Sequence, residues 1–294
     1  MRGNPVAAGK CDVDGGSLAW QVVGDGPPVV LVHGFGLDRR MWDDITPGLA
    51  RDHTVVSYDC RGFGASAQFD QTTGYTHTDD LLTLLAHLGM KRAALVGLSF
   101  GGGVVLKTTL RAPESVTHLV LVDAVLGGVP WDEESSRASD AADLAVRDGG
   151  VTAGRRAWCA HPLFTPANER PDLAARLVEM VEGYPGHHWL GADPHRSERG
   201  DRPIDMLHTI TAPTTVIVGD RDVPCFVEMA AVLARGIPGA RLVTIPGAGH
   251  MTPMEAPTAF LRALGEALGD ALGDAVGGRN RSPRLPLVRR PAKP

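Results

Sequence analysis

Six short apolar runs alternate with longer amphipathic stretches, and this alternation limits the possible folds more than any other feature of the chain. The runs are 27–34 (PPVVLVHG), 53–59 (HTVVSYD), 92–99 (RAALVGLS), 117–124 (THLVLVDA), 214–220 (TTVIVGD) and 240–247 (ARLVTIPG). Their apolar character is nearly continuous, the pattern of parallel strands covered on both faces. Stretches 39–51, 76–90, 101–111, 224–236 and 255–268 are predicted as helices. In 76–90, Leu81, Leu84, Leu85 and Leu88 recur at helical spacing, with Gly89 as a C-terminal stop. An earlier run, 16–24, reads as an antiparallel edge strand closed by Gly-Asp-Gly-Pro-Pro. Such alternation predicts an α/β chain built on a doubly wound, mostly parallel sheet with right-handed crossovers.

The rhythm breaks over 126–212. No strand pattern occurs there, and the segment holds three of the five tryptophans, Trp131, Trp158 and Trp189. A strandless insertion of that length between two strands predicts a helical cap rather than a loop. The expected division is a core of 12–125 and 213–268, a helical cap of 126–212, and a tail of 269–294. The tail is Pro-rich and basic and is expected to be disordered. The chain of 294 residues carries a net charge of −5, but 279–294 contain six Lys or Arg and no acid, leaving −11 on the rest. An acidic domain argues against nucleic acid as a partner. No run approaches the roughly 18 apolar residues of a membrane span, and the first residues lack the apolar stretch of a secretory leader. Four dispersed cysteines (Cys11, Cys60, Cys159, Cys225) fit reduced thiols and a cytoplasmic location rather than a disulfide framework or zinc site.

The chemistry is concentrated in three glycine-rich junctions. Gly97-Leu98-Ser99-Phe100-Gly101 follows a strand run and opens a helix. Small residues two before and two after Ser99 permit a tight, strained turn that lifts a nucleophilic hydroxyl above the sheet, beside the positive N-terminus of the next helix. His33-Gly34-Phe35-Gly36 ends the first central strand. The backbone N–H of Phe35, with that of Phe100, can hold the oxyanion that develops when a carbonyl is attacked; His33 itself reads as a hydrogen-bonded structural residue. Gly247-Ala248-Gly249-His250 puts a histidine on a loop able to reach the serine as general base. The orienting acid is preferred at Asp222, two residues beyond Asp220 at the end of the run TTVIVGD; Asp220 and Asp123 remain alternatives. Trp42 reads as core. Tyr184–Trp189, with His187 and His188, either line a pocket or end a helix. His187, His188 and His195 lack a completing ligand for a metal, and Gly101–Gly103 lacks the Lys-Ser/Thr of a phosphate loop. No metal or organic cofactor is expected.

Taken in order, GLSFG, HGFG, YDCRGFGAS (58–66), GDRD and GAGH resemble the α/β-hydrolase superfamily over about residues 12–268. The resemblance implies the α/β-hydrolase fold with a helical cap insertion, and Ser99, Asp222 and His250 as nucleophile, acid and base. It implies a structural turn for Asp59, Arg61, Gly62, Gly64 and Ser66. A serine at the elbow separates the chain from haloalkane dehalogenases and epoxide hydrolases, which are similar but carry Asp there. The expected activity is serine hydrolysis of a small carboxylic ester or lactone through an acyl-enzyme. Alternatives are C–C bond hydrolysis with a cation such as Arg155, Arg156 or Arg176 as anchor, acyl transfer or thioester hydrolysis in a biosynthetic pathway, and a non-catalytic ligand-binding member of the fold.

Overall fold

The computed structural model describes residues 6–70, 72–190 and 202–269. Eight strands form one sheet: β1 Val6–Val13, β2 Gly16–Val23, β3 Pro28–Val32, β4 Thr54–Tyr58, β5 Ala93–Leu98, β6 Val116–Val122, β7 Thr214–Gly219 and β8 Arg241–Ile245, in the order β1-β2-β4-β3-β5-β6-β7-β8. β1 and β2 run antiparallel, and β3 to β8 are parallel. Every residue of β5 and β7 is buried, which explains their unbroken apolar runs. The helices are α1 Thr46–Leu49, α2 His77–His87, α3 Phe100–Arg111, α4 Glu133–Cys159, α5 Thr165–Asn168, α6 Pro171–Gly183, α7 Pro203–Met206, α8 Pro224–Gly236, α9 Thr252–Glu255 and α10 Pro257–Leu268.

Two expectations are corrected. Run 16–24 is the antiparallel β2, but β1 covers it and takes the edge. The sequence of β1, VAAGKCDV, buries only Cys11, so it carries no apolar signature. Stretch 39–51 is not one helix. A short 3-10 turn at Arg39–Trp42, capped by Asp38, is followed by the single turn of α1, with Pro47 at its start; a proline there cannot donate to the preceding turn. Between β6 and β7 the described residues form helices and turns without a strand. α4 breaks at Gly150, whose φ of 72° and ψ of −177° leave the helical region. The basic tail beyond Gly269 and His195 lie outside the described residues. No helix among the described residues is long and apolar enough to cross a membrane.

The chain passes from β3 outward to β4 and then over β3 to β5. The strand order therefore reverses at β3, and ligand clefts of such sheets open at the carboxyl ends beside this switch. The register pairs Val32 with Gly97, so the loops leaving β3 and β5 start side by side. The Asp59–Ser66 turn braces this edge from below. Asp59, fully buried, accepts from the amides of Arg39 at 2.8 Å and Ala65 at 2.9 Å and pairs with the Arg39 guanidinium. Ser66 Oγ accepts from Ala19 N–H at 2.8 Å.

Arg61 forms a buried bidentate pair with Asp80, at 2.9 and 2.6 Å, donates to the Asp14 carbonyl, and lies 4.2 Å from the Tyr75 ring centroid. This arginine ties the β1–β2 turn to α2. Removing one member of a buried pair strands the other charge, so Arg61→Ala should lose about 3–5 kcal/mol of unfolding free energy. Urea unfolding checks this; a loss below about 1 kcal/mol, the worth of an exposed pair, would refute the bracing role.

Candidate active site

Ser99 sits at the junction of β5 and α3 with φ 54° and ψ −114°, outside the regions a side chain normally occupies. Such strain costs roughly 1–3 kcal/mol and persists only where the surroundings impose it. The surroundings are glycine. A Cβ on Gly97 would lie 2.2 Å from the Gly101 carbonyl oxygen, and one on Gly101 would lie 2.3 Å from that of Val32. The Ser99 amide donates to the Val122 carbonyl at 2.9 Å, while its own carbonyl accepts from Gly103 and Val125, each at 3.1 Å. The turn is thereby fixed on both sides. Gly101–Gly103 serves close helix–strand packing here, with Gly102 against Ala124.

The loop after β8 carries His250, 2 % exposed, whose Nδ1 lies 2.9 Å from Asp222 Oδ2. Asp222 Oδ1 accepts from the Val223 amide at 2.7 Å, which fixes the carboxylate at the entry to α8. The Phe226 ring packs edge-on against His250, 4.4 Å between centroids. The two other acids are engaged elsewhere. Asp220 Oδ1 accepts from Gly247 N–H at 2.7 Å, a turn contact. Asp123, fully buried at the end of β6, accepts from Gly219 N–H at 2.9 Å. Burial first, and then the neighbouring Asp222 charge, push the Asp123 carboxyl well above the ordinary carboxylate range.

Glu255 stands in α9, directly after the His250 loop. Its two oxygens accept from the amides of Gly249 and of Met251, the latter at 3.1 Å, so one carboxylate spans both neighbours of His250. Burial raises its pKa, opposed by these two amides. The only sequence signal is an acid in the first helical turn after Gly-His, where it reaches back as a cap.

Ser99, His250, Phe35 and Phe100 all line one cavity of about 270 Å³. Gly34, Leu37, Leu98, Val125 and Met251 complete its floor, and Trp131, Trp158, Leu163 and Phe164 come from the segment between β6 and β7. His187 and His188 are not among the lining residues. His187 Nε2 lies 3.0 Å from the Ala67 carbonyl, and His188 stacks on Phe63 at 4.8 Å and lies 2.6 Å from the Tyr184 hydroxyl. His33 is fully buried; its Nδ1 lies 2.8 Å from the Gly34 carbonyl and its Nε2 accepts from Cys60 N–H at 2.9 Å. Burial lowers its pKa, so the neutral ring serves as a strut under the loop. Trp42 is fully buried in the core. No cluster of metal-ligating side chains occurs among the described residues.

The alpha/beta hydrolase fold family matches residues 27–257. The dihydrolipoyllysine-residue acetyltransferase component of the acetoin cleaving system of Pseudomonas putida is 31 % identical over 259 residues, covering 84 % of this chain and 65 % of that protein. This chain thus spans less than two thirds of that relative's length. A protein of Pseudomonas savastanoi pv. phaseolicola named as a carbamate hydrolase, RutD, is 30 % identical over 244 residues, 82 % of this chain and 93 % of the relative. Among solved structures, a thermophilic esterase from Thermogutta terrifontis superposes with a TM-score of 0.76 at 28 % identity, covering 90 % of this chain and 98 % of the esterase. The chain belongs to the alpha/beta hydrolase fold family.

Proposed function

We propose that the protein is a serine hydrolase of small carboxylic esters or lactones. The observation that carries this reading is a strained serine sharing one apolar cavity with a histidine that is already hydrogen-bonded to a buried aspartate. The esterase and carbamate hydrolase names among its relatives point the same way. In this reading Ser99 Oγ attacks the carbonyl carbon while His250 Nε2 takes its proton. With Nδ1 turned to Asp222, Nε2 is the nitrogen available to the serine. The oxyanion is held by the amides of Phe35 and Phe100. Collapse re-forms the carbonyl and breaks the bond between its carbon and the alcohol oxygen, and the departing alkoxide takes the proton from His250. Water then attacks the acyl-enzyme, giving its proton to His250, and Ser99 leaves with that proton restored. No step calls for a metal or an organic cofactor.

The described residues of 126–212 form, in this reading, the cap over the rest of the chain, with Trp131, Trp158 and Phe164 roofing the cavity. The small volume, near the lower end of ordinary ligand pockets, suits a compact substrate. Among the described residues, the lining has no Lys or Arg. Arg155 donates to the Tyr184 carbonyl, Arg176 pairs with Asp44, and Arg156 is exposed. That weighs against an anionic substrate of the kind C–C bond hydrolysis requires. Four free cysteines, three of them buried, support a cytoplasmic setting.

Four variants test this arrangement. Ser99→Ala should abolish labelling by a fluorophosphonate probe, and Asp222→Asn should lower kcat by about 10³–10⁴-fold through the wrong histidine tautomer; labelling that persists in the first variant refutes the nucleophile. Asp123→Asn keeps the acceptor for Gly219 N–H and should retain most activity. A carboxyl whose pKa rises on folding binds more protons folded than unfolded, so it costs stability as pH climbs above the ordinary carboxyl range. Asp123→Asn should therefore gain stability over the wild type as pH rises above the ordinary carboxyl range; urea midpoints with a constant gap would contradict a shifted carboxyl. Glu255→Ala frees both amides beside His250 and should lower kcat about 10- to 100-fold with little change in KM. A rise in KM at unchanged kcat would instead make Glu255 part of the binding surface.

A further inference from the structure

The loop that carries His250 is held between the end of the sheet and the segment that joins β6 to β7. Gly249, the residue before His250, is buried. A Cβ on Gly219, at the end of β7, would lie 2.3 Å from the Ala248 carbonyl oxygen and 2.4 Å from that of Gly249, so the loop rests on bare backbone there. The Gly249 carbonyl also accepts from Thr252 Oγ1 at 2.9 Å, and the Gly249 amide donates to the Glu255 carboxylate. Both polar groups of this residue are thereby committed to the core.

The Cα of Gly249 is covered from the other element by Pro166. A Cβ built on Gly249 would stand 2.5 Å from Cγ, 3.0 Å from Cβ and 3.1 Å from Cδ of Pro166, and among the described residues these are its three nearest atoms. Gly249 does not take a positive φ, so it is the proline ring and not the backbone that refuses a side chain there. Pro166 is buried in α5, directly after Leu163 and Phe164 of the cavity wall. Its ring closes on its own backbone nitrogen and cannot swing aside as a longer side chain would. Farther along the same segment, Arg170 Nη1 donates to the Glu255 carbonyl at 2.7 Å, and Glu169 pairs at 2.7 Å with Arg221, the residue before Asp222. Both contacts are exposed, and such an ion pair is worth little. The buried contact is that of Pro166 with Gly249.

We infer that Pro166 is a positioning residue for the proposed general base: seated on Gly249, it fixes the His250 loop and hence the place of the imidazole relative to Ser99. This rests on the serine hydrolase reading of the same site. Pro166 is not among the residues lining the cavity, so it acts through a backbone contact, as Glu255 acts through two amides. The segment between β6 and β7 thereby sets the position of the base as well as walling the cavity. A Cβ at position 249 would need a shift of about 1 Å to reach ordinary contact with the ring, and a misplacement of that size costs about 10²-fold in rate.

A double-mutant cycle on p-nitrophenyl butyrate tests this, with kcat expressed per site labelled by a fluorophosphonate so that unfolded protein does not count. Gly249→Ala should lower kcat about 10- to 100-fold, with KM within about twofold of the wild type. In a Pro166→Gly background, where the ring is gone, the same substitution should cost less than about threefold. The inference is overturned if Gly249→Ala keeps its kcat per labelled site and loses only thermal stability, as a merely structural contact would. It is equally overturned if the loss is the same in both backgrounds. Should a member of the cycle not fold, Pro166→Ala decides: it removes Cγ and Cδ of the ring and should lower kcat about 3- to 10-fold at unchanged KM, and a kcat equal to that of the wild type overturns the inference. Failure of the hydrolase reading looks different, since the wild type itself would neither turn over the ester nor take the label.

Discussion

The contact on which the rest of the site depends is the approach of α3 to β3. The carbonyl oxygens of Val32 and His33 occupy the space where a Cβ on Gly101 would be, at 2.3 and 2.6 Å. Backbone-to-backbone packing this close sets the distance between the helix and the sheet, leaving the chain no room for a relaxed turn between β5 and α3. Ser99 takes up the difference with its positive φ. The strain is held by the ladder bond to Val122 and by two amides on its own carbonyl, so relaxation would require the helix to lift from the sheet. A single methyl group at position 97 or 101 would oppose the same contact, which is why small residues flank the serine on both sides.

The charges around the histidine form a second layer of constraint. Three carboxylates surround His250, each with a different task. Asp222 bonds the ring, Glu255 bonds the backbone on either side of it, and Asp123 bonds the end of β7 from which Asp222 follows. Three full negative charges in one buried region would repel one another. A raised pKa at Asp123, the most buried of the three, relieves this, because a neutral carboxyl still accepts from Gly219 N–H. The hydrogen-bonding requirement and the charge requirement are met by different atoms of the same side chains.

Much of this was legible in the sequence where a local backbone demand selects the residue type. Glycine at 97 and 101 answers a steric demand, and Leu81, Leu84 and Leu85 answer the 3.6-residue period of α2, where all three are buried. The parallel strands declared themselves because both faces are covered. β1 did not, because it lies at the edge, exposes most of its residues, and is specified by its pairing with β2 rather than by its own composition. Stretch 39–51 had a helical apolar pattern, but Pro47 and the Asp38 cap divided it. The three candidate acids shared comparable positions at strand ends. What distinguishes them is the partner each meets: the Gly247 amide for Asp220, the Gly219 amide for Asp123, and the His250 ring for Asp222. Trp158 depends wholly on tertiary placement, and Glu255 is marked only as an acid in the first helical turn after Gly-His.

Phe35 links these layers to the segment above them. Its amide belongs to the loop beside Ser99, while its ring meets Phe63 and Phe100 below and Trp158, Tyr184, His188 and Trp189 above, all at centroid distances of 5.3 to 6.5 Å. Close-packed aromatic contacts transmit displacement, because interiors at crystal-like density yield little. A shift in the segment above therefore reaches the loop that carries the Phe35 amide through one side chain.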